Sequence, residues 1–502
     1  MRVNLLFPDR DLLLFKRKGS CQVDVVNDLE LQTVIAAMSR GDELIEEVAR
    51  SVLLERKTSI DVILFRQGVL KDAMAAPEMF RNIYDIATEA GQAERKVFGG
   101  LYARTPSARL FRSVRVLKVY LELLRKLKIA ILKADNSLAS VGMSVFVNTV
   151  SENLGEPYLR QVEEQLSYLS FPDGMLLGAK LARHNRAMEY RLLHENDGKM
   201  RWWSRVSPQG NKQTFRIAPR DESGARILAE IQDEGVAEIA EATLSSAQHI
   251  KGFFASLARE MAFYVGCINL FDSIDSLEAP ICWPKPLQAG GGVLRFSGLW
   301  ATVLALNTRE PTVTNDLDTD GVFRTVITGA NSGGKSTWLK SVGIALLMMQ
   351  AGMFVVADSF AASIFDGLYT HFSRGEEQNL AGGRLDEELS RLNNIVHEIA
   401  SESILLMNES FSSTNEQEGS AVAEEVVSAF ADAHLRCFVV THMYQLASSL
   451  HALGLKSDCF LIAERKADAS RTFRLCPGFP QPTSFSYDLY RQIGGFNTVQ
   501  TS

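Results

Sequence analysis

The sequence Gly-Ala-Asn-Ser-Gly-Gly-Lys-Ser-Thr at residues 329–337 fits the phosphate-binding pattern G-x-x-x-x-G-K-[ST] in full. In such a loop, backbone N–H groups surround the phosphate oxygens, the lysine reaches the β- and γ-phosphates, and the hydroxyl after it ligates Mg²⁺. Residues 323–328 before it are apolar and β-branched, as in a buried strand, and residues 338–349 after it have helical spacing. Because strand, loop and helix are in register, the stretch predicts a nucleoside triphosphate site and not a chance turn. The residues that would form this site are Gly329, Ala330, Asn331, Ser332, Gly333, Gly334, Lys335, Ser336 and Thr337.

Length and composition set the frame around this loop. A chain of 502 residues is expected to hold about two to four domains. The net charge of −7 gives no general attraction to nucleic acid, so any DNA contact must come from local basic patches. Six cysteines without a C-x-x-C pair favour free thiols over disulfides or a zinc site. No signal peptide and no long apolar segment are visible, which predicts a cytoplasmic protein without a membrane partner.

Helical periodicity dominates the part of the chain before the loop. Residues 1–26 carry short apolar runs that suit strands or an irregular cap, and apolar residues recur at helical spacing from residue 27 onwards. The proline-rich segment 280–286 marks the best domain boundary. We therefore expect a cap at 1–26, a helical domain at 27–275 and an α/β domain at 276–502.

Residues 107–133 predict one long helix with an apolar stripe and eight basic side chains, opposed within the helix only by Glu122. Clustered lysine and arginine suit contact with a DNA backbone. They suit a solvated face on a structural helix as well, and the pattern slightly favours this second interpretation.

A small β insertion is predicted at about 189–220. The strand-like runs 190–194, 200–206 and 213–218 are separated by turn residues. The insertion carries Arg201, Trp202, Trp203, Arg205, Lys212 and Arg216. Basic residues interleaved with aromatic ones suit nucleic acid or a small sheet packed on helices, and both interpretations stay open.

Strands and helices alternate after the boundary, which predicts a mostly parallel sheet covered by helices. The buried strand at 404–407 delivers Asn408 and Glu409 to the carboxyl edge of the sheet, and the strand at 437–441 delivers His442 to the same edge. There, position 408 would belong to the Mg²⁺ shell and Glu409 would orient the attacking water. His442 is either a γ-phosphate sensor or a structural histidine.

With these residues in place, the sequence resembles the MutS family of mismatch-repair ATPases. The resemblance rests on Thr-Asn-Asp-Leu at 314–317, the block at 327–337, Leu-Leu-Met-Asn-Glu at 405–409 and Thr-His-Met-Tyr-Gln-Leu at 441–446. Residues 27–270 resemble, more weakly, the family's helical core and lever domain. The implied fold is a mainly α-helical core and lever domain with a small β insertion, followed by an α/β P-loop NTPase domain of ABC type.

The resemblance implies an ATPase whose two nucleotide sites form in a homodimer of the ATPase domains, with lever helices that transmit the nucleotide state to DNA. By motif match, Glu409 would position the water, His442 would sense the γ-phosphate and Asn315 would lie near the adenine. Ser336 and Asn408 would hold Mg²⁺. The cofactors implied are ATP and Mg²⁺.

Three departures from the family pattern matter. Asn408 stands where the family has an acid, so metal binding should weaken and hydrolysis should slow. The family's signature serine is missing from 381–385, where the backbone of Gly382 and Gly383 or the Arg384 side chain would act across the dimer. By the same resemblance, and not as a departure, Thr414 in the 410–419 loop would lie at the dimer interface. No counterpart of the mismatch-reading domain or of dimerisation helices after residue 495 is visible.

The expected function is that of a short MutS-related, DNA-dependent ATP hydrolase. It would act on mismatched or branched double-stranded DNA in mismatch repair or recombination. The alternative is a nucleotide-gated scaffold with little hydrolysis and no direct mismatch recognition, which the neutral Asn408 favours.

Overall fold

A computed structural model of the chain describes residues 2–14, 19–97, 104–132, 138–172, 174–193, 216–330, 332–374, 383–465 and 471–481. The chain divides into two compact units. The first comprises Met1–Val3, Glu78–Ser137 and Ser144–Ala258, and the second comprises Asn4–Pro77, Leu138–Met143 and Arg259–Ser502. In the part of the chain that is described, no helix has the length and apolar character needed to cross a membrane.

The helices are α1 (Ser20–Asp28), α2 (Leu31–Ser39), α3 (Glu43–Leu53), α4 (Ile60–Ala75), α5 (Pro77–Val97), α6 (Pro106–Leu132), α7 (Val141–Asn153), α8 (Glu156–Tyr168), α9 (Glu222–Asp275), α10 (Thr302–Thr308), α11 (Lys335–Gln350), α12 (Arg384–Glu398), α13 (Glu416–Asp432) and α14 (Tyr444–Ala452). The strands are β1 (Leu177–Leu181), β2 (Ala187–Leu192), β3 (Lys285–Leu287), β4 (Leu294–Leu299), β5 (Asn315–Thr319), β6 (Arg324–Thr328), β7 (Ser359–Ser363), β8 (Leu368–Phe372), β9 (Ile404–Asn408), β10 (Arg436–Val440), β11 (Asp458–Arg465) and β12 (Arg471–Pro477).

Helix α6 of the first unit confirms the long basic helix, and its predicted apolar stripe is buried. Acidic side chains from other elements face three of its basic residues. Arg109 pairs with Glu241 at 2.9 Å, and Arg125 pairs with Glu163 at 2.6 Å. Lys126 likewise has a carboxylate partner on α5, at 3.4 Å. Such exposed pairs contribute little stability, but they balance the charge of the helix and favour the solvated-face interpretation.

The small β element differs from the prediction. Strands β1 and β2 form an antiparallel pair that begins at Leu177, ahead of the predicted start at 189. The sequence Leu-Gly-Ala-Lys-Leu of β1 alternates apolar and other residues, but over only five residues, and it contains a glycine, which is uncommon in strands. Residues 216–218, expected to end a strand, have no regular structure. The predicted strand at 200–206 and the residues Arg201, Trp202, Trp203, Arg205 and Lys212 lie outside the described residues.

The second unit contains the predicted mostly parallel sheet, with strand order β12-β11-β6-β10-β9-β8. The β11-β6-β10-β9-β8 neighbours run parallel, and β12 joins the edge antiparallel to β11. Every residue of β6 is buried, as expected of a strand with neighbours on both sides and helices on both faces. A second sheet, of order β3-β7-β4-β5, lies in the same unit.

The compact units do not coincide with the predicted division into 1–26, 27–275 and 276–502. Helices α1 to α4 belong to the unit that contains the main sheet, and the division falls inside α9, between Ala258 and Arg259. The proline-rich segment is part of the same unit, because its strand β3 pairs with β7. Residues 2–14 form no strand, and residues 20–26 are helical. Periodicity identifies these helices, but it does not say which surface their apolar faces meet.

Candidate functional site

The glycine-rich loop leaves β6 and enters α11 through backbone conformations that favour glycine. Gly329 has φ 111° and Gly334 has φ 90°, both in the left-handed region. A Cβ at position 329 would lie 2.9 Å from the backbone nitrogen of Ala463 in β11. The two glycines therefore let the loop turn while it passes close to the neighbouring strand.

Lys335 is the first residue of α11 and is buried inside the loop. Its Nζ donates to the carbonyl oxygens of Gly329 at 2.8 Å and Ala330 at 2.9 Å. Burial lowers the pKa of Lys335, and the charge of Glu409 acts in the opposite direction. An ammonium group at a helix N-terminus gives this corner of the molecule a strong preference for anions.

Ser336 meets Asn408 at the carboxyl end of β9. The Ser336 hydroxyl donates to Asn408 Oδ1 at 2.9 Å, which brings two neutral oxygen atoms together. Hydroxyl and amide oxygens fit Mg²⁺, which keeps several water ligands and needs few protein ligands. Nowhere in the described ranges do three or more His, Cys, Asp or Glu side chains group as a metal site would require. The pair thus fits Mg²⁺ but supplies it with no negative charge.

A cavity of about 830 Å³ opens beside the loop. The predicted residues that line it are Asn315, Ser332, Gly333, Gly334, Lys335, Ser336, Thr337, Glu409 and His442. Gly329 and Ala330 take part through the carbonyls that hold Lys335, and Asn408 takes part through Ser336. Asn331 lies outside the described residues.

Glu409 and His442 reach the cavity because Glu409 directly follows β9 and His442 lies two residues after the adjacent parallel strand β10. Glu409 has φ 53°, an uncommon conformation for a residue other than glycine, and its N–H donates to the Val440 carbonyl at 2.8 Å. His442 is exposed and lines the cavity. Its neighbour Thr441 is buried, and the Thr441 hydroxyl accepts the Met443 N–H at 3.0 Å. This convergence was predictable from the topology of a parallel sheet.

Asn315 lies in the cavity wall, but both ends of its amide are engaged by β12. Its Nδ2 donates to the Phe473 carbonyl at 3.3 Å, and its Oδ1 accepts the Leu475 N–H at 2.8 Å. These bonds hold Phe473, which has φ 59°, against the cavity. Asn315 therefore positions Phe473 and has little capacity left to bind a ligand directly.

Sequence reasoning missed the rest of the cavity wall. This wall contains Leu299, Ala301, Leu304, Thr308, Glu310, Pro311, Thr312, Val313, Trp338, Ser341 and Phe473. The available signal was the position of residues 310–313 just before Asn315.

Of the residues predicted for the dimer interface, the described ones, Gly383, Arg384 and Thr414, do not line the cavity. Arg384 donates to the Arg374 carbonyl at 3.1 Å, and Thr414 donates to Glu418 at 2.9 Å. Gly382 lies outside the described residues, and Gly383 precedes α12. Their interface roles stay predictions.

Two family models match the chain. One, the MutS2 N-terminal domain, matches residues 58–277, and the other, MutS domain V, matches residues 325–478. Curated relatives include proteins named Endonuclease MutS2. That of Geobacillus kaustophilus is 30% identical over 217 residues, which is 42% of this chain and 26% of the relative. That of Bacillus velezensis is 28% identical over the same shares. That of Streptococcus equi subsp. equi is 23% identical over 388 residues, which is 72% of this chain and 46% of the relative.

The chain thus spans between 26% and 46% of the length of these relatives. The two matched regions hold most of the helical first half of the chain and the region of the main sheet, with Lys335, Asn408 and Glu409. The relatives and the two models agree with the sequence motifs, and the chain belongs to the MutS family.

Proposed function

We propose that this protein is a MutS-type P-loop ATPase that binds ATP with Mg²⁺ and couples its nucleotide state to DNA. The carrying observation is that one cavity at the carboxyl edge of the sheet is lined by Lys335, Ser336, Glu409 and His442. Convergence of a phosphate loop, a carboxylate and a histidine at such an edge is the arrangement that phosphoryl transfer requires.

Each residue then has a chemical role. The N–H groups at the start of α11 and the Lys335 ammonium bind the phosphates, and the Glu409 carboxylate orients the attacking water. His442 contacts the γ-phosphate. Ser336 and Asn408 would hold Mg²⁺, which neutralises charge on the phosphate oxygens. The apolar wall around Phe473 suits a purine ring.

A second candidate is a nucleotide-gated scaffold that binds ATP and hydrolyses little of it. The observation that favours it is the neutral Ser336–Asn408 pair, because the absence of a carboxylate there weakens the hold on Mg²⁺. In both candidates the first step is ATP binding, and the two differ in turnover.

The macromolecular partners are part of the same proposal. Family membership supports double-stranded DNA, mismatched or branched, and a homodimer through the ATPase domains, in the cytoplasm. The exposed basic residues Arg183, Arg186 and Arg191 of the β1–β2 region are candidates for backbone contact. The name of these relatives includes an endonuclease activity. That activity is not part of the proposal for this chain, because the chain matches under half of their length.

ATP hydrolysis measured with perfect duplex, mismatched duplex and four-way junction DNA, at fixed salt, tests the proposal. Lys335→Ala and Glu409→Gln remove the phosphate and water contacts, and Lys340→Ala, on the same helix outside the cavity, is the matched control. Stimulation by one DNA form that both site variants lose supports the DNA-coupled ATPase. Bound ATP with no turnover above Glu409→Gln favours the scaffold. Wild-type protein that binds no ATP overturns both.

A further inference from the structure

The turn that carries Glu409 rests on a buried hydrogen-bond network from two other elements. Glu388 on α12 and His371 on β8 are 5% and 0% exposed. Glu388 Oε2 accepts the Phe411 N–H at 2.5 Å. His371 Nδ1 lies 2.8 Å from Ser410 Oγ, and its Nε2 lies 3.0 Å from the Glu388 carbonyl oxygen. The two residues after Glu409 are thus each held by a buried side chain.

The turn needs such support because its backbone is strained. Glu409 and Phe411 have φ values of 53° and 62°, in the left-handed region that side chains disfavour. Strained positions persist when the surrounding structure fixes them, and they cluster at functional sites. Before the turn, the Glu409 N–H is held by Val440; after it, the chain is held by Glu388 and His371. Together these bonds determine where the Glu409 carboxylate points.

Glu388 is an unusual residue for this position. Burying a carboxylate is costly unless it is paired, and in the described part of the chain no ion pair involves Glu388. Its hydrogen-bond partner there is the Phe411 N–H. An apolar side chain would pack α12 equally well, so packing alone does not account for a buried acid.

Two hydrogen bonds fix helix α12 to β8 and to the segment that follows β8. Arg391 donates to the Phe372 carbonyl at 2.8 Å, and Arg384 donates to the Arg374 carbonyl at 3.1 Å. A movement of α12 against β8 would carry Glu388 away from the Phe411 N–H and release the turn.

We propose that Glu388 and His371 are positioning residues for ATP hydrolysis, through which the placement of α12 controls the Glu409 carboxylate. The inference rests on the proposed function. Neither residue touches the cavity, so their effect falls on turnover and not on nucleotide affinity.

Glu388→Ala, Glu388→Gln and the control Leu392→Ala test this. Leu392 lies one turn further along α12 and is also buried, in the apolar core. We expect Glu388→Ala to lower kcat at saturating ATP by about 10- to 100-fold, since small misplacements of a catalytic group cost that much. The Kd for a non-hydrolysable ATP analogue should change less than about threefold. Glu388→Gln keeps an acceptor oxygen and should stay within about threefold of wild type in kcat.

His371 offers a second pair of variants. The amide of Asn occupies the place of Nδ1, towards Ser410, and the amide of Gln occupies the place of Nε2, towards α12. His371→Asn should retain more turnover than His371→Gln, because the Ser410 bond is the one that reaches the turn directly.

Hydrogen exchange of the amides at 409–412 in nucleotide-free protein measures the stability of the turn independently of ATP hydrolysis. Faster exchange in Glu388→Ala, unchanged exchange in Leu392→Ala and the loss of kcat together support the proposal. Wild-type kcat in Glu388→Ala, or an equal loss in Leu392→Ala, overturns it. If the wild type hydrolyses no ATP, the ATPase candidate fails and this proposal fails with it, and the exchange data then show only whether Glu388 holds the turn.

Discussion

At the scale of single residues, Asn408 and Ser336 form a hydrogen-bonded pair that carries no charge. We expect Asn408→Asp to lower the Mg²⁺ concentration for half-maximal ATP turnover by about tenfold, because a carboxylate attracts the cation by about 1 to 4 kcal/mol in a partly solvated site. Titration of turnover with Mg²⁺ measures this. Asn408→Ala, which removes the oxygen, should require more Mg²⁺. An Mg²⁺ dependence that both variants share with wild type would exclude position 408 from the metal site.

His371 makes a pH-dependent contribution to stability. The pKa of its ring is lowered from 6.5 to about 4, chiefly by burial and also by the charges of Arg391 and Arg374, while the hydrogen bond to the Glu388 carbonyl and the charge of Asp24 act to raise it. The unfolded chain therefore binds the proton more readily. The contribution is full above pH 6.5 and is lost as the pH falls through 4, by up to about 3 kcal/mol. Urea unfolding at several pH values should show that the free energy of unfolding falls less at acid pH in His371→Gln than in wild type. Parallel pH curves for the two proteins would contradict this.

At the scale of elements, residues 4–12 are held on α9 by a buried carboxylate. Glu260 accepts the N–H groups of Leu5 at 2.5 Å, Leu6 at 3.1 Å and Leu12 at 2.9 Å. In Glu260→Gln an amide NH₂ would face at least one of these donors, which leaves a buried N–H unpaired. We expect a loss of about 1 to 3 kcal/mol in the free energy of unfolding and faster limited proteolysis within 4–14. Asp275→Asn, exposed at the end of α9, is the control, and equal protease resistance in all three proteins would contradict the role of Glu260.

The Glu260 carboxylate also makes a pH-dependent contribution to stability, and its pH dependence is opposite to that of the His371 contribution. Burial raises the pKa of Glu260 to about 7, although the three N–H donors and their partial charges act to lower it. Its contribution to stability is therefore full below pH 4.5 and is lost as the pH rises through 7. Because the two groups act in opposite directions over overlapping ranges, only the difference between wild type and each variant separates them.

Elements whose signal is local were predictable from the sequence. Strands β9 and β10 consist mostly of apolar residues, β6 is rich in β-branched residues, and the loop before α11 has a fixed spacing. The phosphate side of the site was therefore predictable from the sequence. Phe473 did not, because its place depends on β12 folding back against Asn315, far away in the chain. Glu388 did not either, since a charged residue on a helix gives no sign that it is buried against a turn.

At the scale of the whole molecule, the helical periodicity of α2 to α4 was predicted, but α1 and the surface that these four helices cover were not. Leu29, after α1, packs against α11, where a Cβ at Gly343 would lie 3.1 Å from its side chain. Cys21 belongs to the apolar core under the main sheet. Glu30 pairs with Lys340 at 2.6 Å, and Asp24 pairs with Arg374. A helical pattern in sequence would be the same whether its partner is the next helix or a helix three hundred residues later.

The cohesion of this second unit leads to a prediction about fragments. A fragment 276–502, the ATPase domain that the sequence boundaries suggest, leaves the surfaces of β8 and α11 without α1 to α4, which exposes apolar area that the whole chain buries. We expect it to lack cooperative thermal unfolding by circular dichroism and to bind a non-hydrolysable ATP analogue at least about tenfold more weakly than the whole chain. A fragment that joins 4–77 to 259–502 through a flexible linker should unfold cooperatively and recover the affinity, because it contains all of that unit except Leu138–Met143. Cooperative unfolding of 276–502 with wild-type nucleotide affinity would mean that α1 to α4 are dispensable for the site and that the predicted boundary at 276 is the functional one.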